Sequence, residues 1–130
     1  MKETKLENFI NANKRLQEGV KNYSNNKADD FARDALIQRF EFTFELAWKT
    51  LAEYLIANGV LITQKMPRTI IKLAYQSGIL KDEKVWLDIL QSRNLMSHVY
   101  NEETANQIAK SIHTSFAIEL NHLSNHLSKL

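Results

Sequence analysis

Cysteine is absent from the 130 residues. That removes disulfide frameworks and thiolate metal sites at once. Proline occurs once and glycine three times. So few turn formers argue for a few long helices and against a many-stranded sheet. There is no run of about 18 apolar residues to span a bilayer. The first residues mix Lys, Glu and Asn without the apolar core of a signal peptide. The expectation is therefore a cytoplasmic protein that makes no membrane contact. A dominant charge is missing too. Seventeen basic residues face fifteen acidic ones, a net charge of +2, too little to draw in nucleic acid by bulk electrostatics. Glycine-rich phosphate loops, nucleophile elbows and heptad runs do not occur, and those function classes drop out.

What is present is material for a core. Hydrophobic residues make up 44% of the chain and charged residues 25%, which suits a soluble domain. The length fits one domain over residues 1–130. Leu6, Phe9, Ile10, Leu16, Val20 and Tyr23 recur at three- and four-residue steps and predict a first helix from residue 2 to about 23. Gly19 falls inside it, at a cost of about 1 kcal/mol relative to Ala. Asp29 or Asp30 caps a second, longer helix to about Asn58, with Phe31, Ile37, Phe40, Phe44, Ala47, Trp48, Leu51 and Leu55 on its apolar face. Gly59 is its stop.

Val60-Leu61-Ile62-Thr63 finds no partner strand and reads as an extended connection packed on the helices. Pro67 opens a short third helix that ends near Ser77-Gly78. Asp82 caps a fourth, whose apolar face is Val85, Trp86, Ile89, Leu90 and Met96. Asn101 caps a fifth, with Glu102 and Glu103 favourable to its dipole. Ile108, Ile112, Phe116, Leu120, Leu123 and Leu127 run along it at four- and three-residue steps. The fold expected is all-α: an antiparallel helical bundle of four long helices plus one short helix.

Chemistry concentrates in Arg93-Asn94-Leu95-Met96-Ser97-His98-Val99-Tyr100. On a helix Asn94 and His98 share one stripe, and Arg93, Ser97 and Tyr100 form the next. An arginine holds a phosphate through two parallel hydrogen bonds, and a histidine moves a proton near neutral pH. Arg93, Asn94 and His98 thus suit chemistry at a phosphodiester. The plainer reading makes Arg93 an ion-pair partner and His98 a helix-end cation.

Three other groups have plainer readings. Glu41 and Glu45, one turn apart, serve more often as a solvated stripe or an arginine's partner than as an acid–base pair. Glu119, His122 and His126 share a stripe with zinc-like spacing, but no further ligand is near in sequence, so no metal is expected. Lys65, Arg68 and Lys72 can meet a phosphate backbone or simply be solvated.

Several segments in order carry a resemblance. They are the stretch from Gln38 to Lys49 (QRFEFTFELAWK), Pro67-Arg68, Val85-Trp86-Leu87, the spaced set Arg93-Asn94, Ser97-His98 and Tyr100, and Glu102-Glu103-Thr104-Ala105. Together they resemble the nucleotidyltransferase substrate-binding protein family of the HEPN superfamily, close to the HepT toxins, from about Asp34 to Ile112. The resemblance implies a helical bundle, usually a homodimer, encoded beside a minimal nucleotidyltransferase (MNT). It implies a toxin–antitoxin type of pair. HepT-like members look like metal-independent ribonucleases with an Arg-x4-6-His motif, here Arg93 and His98, with Asn94 as the polar residue after the arginine and, in the longer form, Tyr100. In that form the partner transfers AMP to the tyrosine (AMPylation) and silences the toxin. Two functions stay open: a binding subunit for the nucleotidyltransferase, and an RNase acting on an RNA substrate. No cofactor is called for in either. The sparse one-chain site leads to the expectation of a dimer in which the fourth helices, bearing Arg93 and His98, approach one another.

Overall fold

The computed structural model describes residues 4–98 and 100–130. Residues 2 and 3 of the expected first helix, and Val99, lie outside them. Every regular element among the described residues is helical: α1 (Lys5–Asn25), α2 (Asp30–Ala57), α3 (Pro67–Gln76), α4 (Glu83–His98), α5 (Glu102–Ser111) and, after a π-helical turn at Ile112–Phe116, α6 (Ala117–Ser128). The chain is all-α, as expected.

The helix starts follow local chemistry. Thr4 accepts the Glu7 N–H at 3.0 Å, Asp29 accepts Phe31 N–H at 2.9 Å, Asp82 accepts Val85 N–H at 3.2 Å and Asn101 accepts Thr104 N–H at 2.8 Å. Each satisfies an amide that has no partner within its helix. Pro67 sits in the first turn of α3, where its missing N–H costs nothing. Gly59 and Gly78 close α2 and α3 at φ of 84° and 83°, a left-handed conformation that glycine adopts without a Cβ penalty. Between them Val60 and Ile62 pack on the core while Leu61 is exposed, so the apolar connection packs on the helices and is not a strand.

Contacts between helices fix their directions. Lys5, Ala12 and Arg15 offer backbone oxygens to Thr50, Thr43 and Arg39 at 3.3, 3.2 and 2.7 Å. The numbers fall along α1 as they rise along α2, so the two run antiparallel. Asn13 and Asn121 bond at 2.9 Å, and Gln17 donates to the Ala117 oxygen at 3.0 Å. α1 is therefore antiparallel to α6 as well.

α2 is the most enclosed element. Its buried residues include Ile37, Phe40, Phe44, Ala47, Trp48, Leu51 and Leu55 on the expected stripe, and also Arg33, Leu36, Thr43, Thr50 and Ala52 beside it. Each large apolar side chain buried there contributes about 1.5–3 kcal/mol. Phe31 departs from the expected apolar face: it is 86% exposed. Nine residues separate it from Phe40, about two and a half turns, which points it to the opposite side.

The last helix holds the other difference. Steps of four from Ile108 to Leu120 overrun 3.6 residues per turn and would rotate the stripe off the core. A π turn takes up the excess, with Ala117 N–H bonding to the Ile112 oxygen. Ile108, Ile112, Phe116 and Leu120 all stay buried, and Phe116 stacks on Phe40 at 5.7 Å between ring centroids.

On the flank of α2 facing α4, Glu41 is partly buried. Burial pushes its carboxyl up from the ordinary value, and the charge of Arg93 offsets part of that rise. A raised carboxyl is less stable ionised in the fold than in the open chain. The penalty is in force above the folded value and is gone below the unfolded one. Glu41→Gln should therefore raise the melting temperature at about pH 7.5, and the gain should vanish by about pH 3.5, where free glutamate is protonated. Thermal melts of both proteins across that interval check it; an equal gain at both ends would refute the burial argument.

Candidate functional site

Arg93 and Asn94 lie in the last turns of α4, against the flank of α2. The Arg93 guanidinium pairs through Nη2 with Oε1 of Glu45 and donates through Nη1 to Asn94 Oδ1 at 3.2 Å. Ser97 Oγ donates to the Arg93 carbonyl at 3.2 Å. Glu45 is itself held from three sides. Trp48 Nε1 donates to its Oε2 at 3.2 Å, Lys49 Nζ stands 3.6 Å from the same oxygen, and Arg93 takes the other. Lys49 also lies over the Trp48 ring, 5.9 Å from its centroid. The plainer reading of Glu45, an arginine's partner, is what the structure has. Part of the Arg93 fork is thus already engaged, and a phosphate arriving there competes with a carboxylate.

His98 closes α4 and is exposed. The ring is open to whatever approaches. Asn94 turns its amide oxygen to Arg93, so its observed use is to orient the guanidinium.

Tyr100 follows α4 and precedes the Asn101 cap. It is 64% exposed, yet its hydroxyl reaches back to α2 and donates to Asp34 Oδ1 at 3.2 Å. With Glu45 on Arg93, this second link runs α4 antiparallel to α2. Behind Asp34 stands Arg33, only 4% exposed. Its Nε bonds Asp34 Oδ1 at 2.9 Å, and its Nη1 meets Asp30 at 3.4 Å, Glu102 at 3.6 Å and the Asn106 amide oxygen at 3.1 Å. The hydrogen bond to Asp34 raises the Arg33 pKa above its ordinary value, against the opposing effect of burial, and the charges of Asp34 and Asp30 add to the rise.

Arg93 and Asn94 therefore touch, His98 stands at the exposed end of their helix, and Tyr100 is held separately by α2. The sequence reading missed Arg33 and Asp34. A usable signal was there: Arg33 lies on the stripe with Ile37, Phe40 and Phe44, and a charge on a core stripe must be paired. Lys72, one of the loop cations, stands 3.9 Å from Glu83. Glu119, His122 and His126 line a cavity of about 430 Å3 with Lys81, Asp82 and Trp86. Among the described residues no three His, Cys, Asp or Glu side chains are placed to hold a metal ion. None of the described helices is long and apolar enough to cross a membrane.

The profile of the family described as nucleotidyltransferase substrate binding protein like matches residues 4–129. A crystal structure of a protein from Thermus Thermophilus is similar, at 31% identity over 91% of this chain and 96% of that one, with a TM-score of 0.71. No curated protein matches. The HEPN placement read from the motifs fits the same family. The match takes in all six helices and the corner that holds Arg93, His98 and Tyr100, and the chain belongs to the nucleotidyltransferase substrate binding protein like family.

Proposed function

We propose that this protein is the partner and substrate-binding subunit of a minimal nucleotidyltransferase, in a HEPN–MNT pair of toxin–antitoxin type, and that it works as a cytoplasmic homodimer. The observation that carries the reading is the exposed Tyr100 at the α4–α5 corner, in a chain of this family. A phenol at an open corner is what a transferase needs in order to reach a protein hydroxyl. Arg93 on the adjoining helix end supplies positive charge for the phosphodiester that results, with His98 beside it. Incubation with the nucleotidyltransferase encoded beside this chain, ATP and magnesium should add mass in AMP units to the Tyr100 peptide. Tyr100→Phe should take none. A transferase that modifies other substrates but leaves this chain unmodified would rule the reading out.

The dimer is supported by apolar side chains left open on α2 and α4, namely Phe31, Phe42 and Leu95, and by a site with few groups in one chain. Light scattering at micromolar concentration should give twice the chain mass; a strict monomer there counts against a shared site.

A second reading rests on Arg93 and His98 standing on one helix end. In it the protein is a metal-independent ribonuclease that AMP on Tyr100 switches off. His98 would move the proton of the 2′-hydroxyl or of the leaving oxygen, and Arg93 would stabilise the charge gathering on phosphorus. His98→Ala should then slow RNA cleavage by about 10²–10⁴, and Arg93→Ala should do likewise. Cleavage should continue in chelator. Purified His98→Ala protein that cuts RNA at the normal rate would exclude this assignment.

A further inference from the structure

Tyr100 is mostly exposed, and its simplest state would be a phenol donating to water. Instead its hydroxyl donates to Asp34 Oδ1, on a different helix, at 3.2 Å. The same oxygen accepts from Arg33 Nε at 2.9 Å. Arg33 is buried and fixed by Asp30, Glu102 and Asn106. A guanidinium held on so many sides cannot follow a moving carboxylate, so it pins Asp34 in place. An ionised carboxylate has no proton to give. The hydrogen of Tyr100 must therefore point into the protein, and the oxygen's lone pairs face outward.

We propose that Asp34 is the proton acceptor that makes Tyr100 a nucleophile, with Arg33 as its positioning residue. The proposal rests on the reading of Tyr100 as the hydroxyl that receives a nucleotidyl group. A phenol is a weak nucleophile near neutrality, since its ordinary pKa is about 10. A base within hydrogen-bond reach removes that obstacle. In the step, the Tyr100 oxygen attacks the α-phosphorus of a nucleoside triphosphate. A bond forms between the phenol oxygen and phosphorus. The bond from that phosphorus to the oxygen bridging to the β-phosphate breaks, and pyrophosphate leaves with the electron pair. The phenol proton passes to the Asp34 carboxylate and from there to water. Bond formation to phosphorus acidifies the phenol, so the proton moves late in the step. Once the adduct exists the hydroxyl hydrogen is gone and Asp34 faces a phosphodiester of its own sign. The modified side chain is then released from α2 and free to turn toward Arg93 and His98.

A purely mechanical role is the competing account, in which Asp34 only ties the α4–α5 corner to α2. Asp34→Asn separates the two, because its amide oxygen still accepts from Tyr100 and Arg33 but takes up no proton. Two measurements on the full chain decide. In the first, N-acetylimidazole labels tyrosines between about pH 6 and pH 8, below the ordinary phenol pKa, and peptide mass spectrometry follows Tyr100 against the exposed Tyr75. The wild type should acetylate Tyr100 at least about tenfold faster than Tyr75, and Asp34→Asn should erase that advantage while leaving Tyr75 unchanged. A cooperative thermal melt reports that the variant is folded. In the second, AMP transfer to Tyr100 by the nucleotidyltransferase should slow by about 10² or more in Asp34→Asn. If wild-type Tyr100 takes no AMP, the modification reading falls and acetylation alone judges Asp34. Equal acetylation in wild type and variant overturns the proposal, even where AMP transfer falls, because Asp34 is then a contact for the partner. Equal AMP transfer overturns it as well.

Discussion

A helix of 28 residues that buries side chains around most of its circumference cannot sit at the edge of a small protein. α2 is such a helix, and every other element must cover part of it. α1 lies along one side in antiparallel register, α3, α5 and α6 each pack against α2, and the π turn sets Phe116 on Phe40. α4 reaches it through side chains, Glu45 to Arg93, with Asp34 to Tyr100 just beyond its end. The residues with chemistry thus hang on the flank of the most enclosed helix of the molecule. A flank so placed keeps its charges at fixed distances, which is what a site needs.

Two arginines on that flank meet opposite conditions. Arg33 is buried, and its desolvation is offset by carboxylates whose own side chains keep substantial contact with water. Such a group is structural: it joins α2 to the start of α5 and leaves no room for a ligand. The Arg93 side chain is 29% exposed and, among the described residues, has a single carboxylate in contact. Its pairing is weaker, because water competes for both partners. The arginine that can exchange one anion for another is Arg93, and the arginine that cannot is Arg33.

Much of this was readable in the residues. The caps Asp29, Asp82 and Asn101 stand where the sequence placed them, and both glycine stops stand where the chain turns; Thr4 was not expected as a cap, because the first helix was read as starting at residue 2. The core stripes of α2 and α6 were legible as well. Phe31 was not, because hydrophobicity alone does not place a residue on a stripe; its angle from Phe40 does. The π turn escaped because each four-residue step looks helical by itself, and only three in succession exceed the turn. At the site, Arg93, Asn94, His98 and Tyr100 stood out by type and spacing. Glu45 was read as an arginine's partner with no arginine named, and Arg33 and Asp34 did not stand out, since pairings across 48 and 66 residues leave no mark in local sequence. Only the misfit of Arg33 on an apolar stripe pointed that way.

The pairings change how the proposed function works. If Arg93 were free, a phosphate would simply add to it. With Glu45 in place, binding is an exchange: a phosphodiester must offer the guanidinium more than the carboxylate does, and Glu45 must find its compensation in Lys49 and Trp48, which already contact it. An RNA phosphate and an adenylyl group on Tyr100 then compete for the same fork, and the second is tethered. Tethering turns a bimolecular competition into an intramolecular one, with an effective concentration in the millimolar range for a short flexible link. A modest intrinsic preference for phosphate over Glu45 is enough for the tethered group to hold the arginine. The same preference leaves free RNA able to come and go when Tyr100 is bare and held back by Asp34.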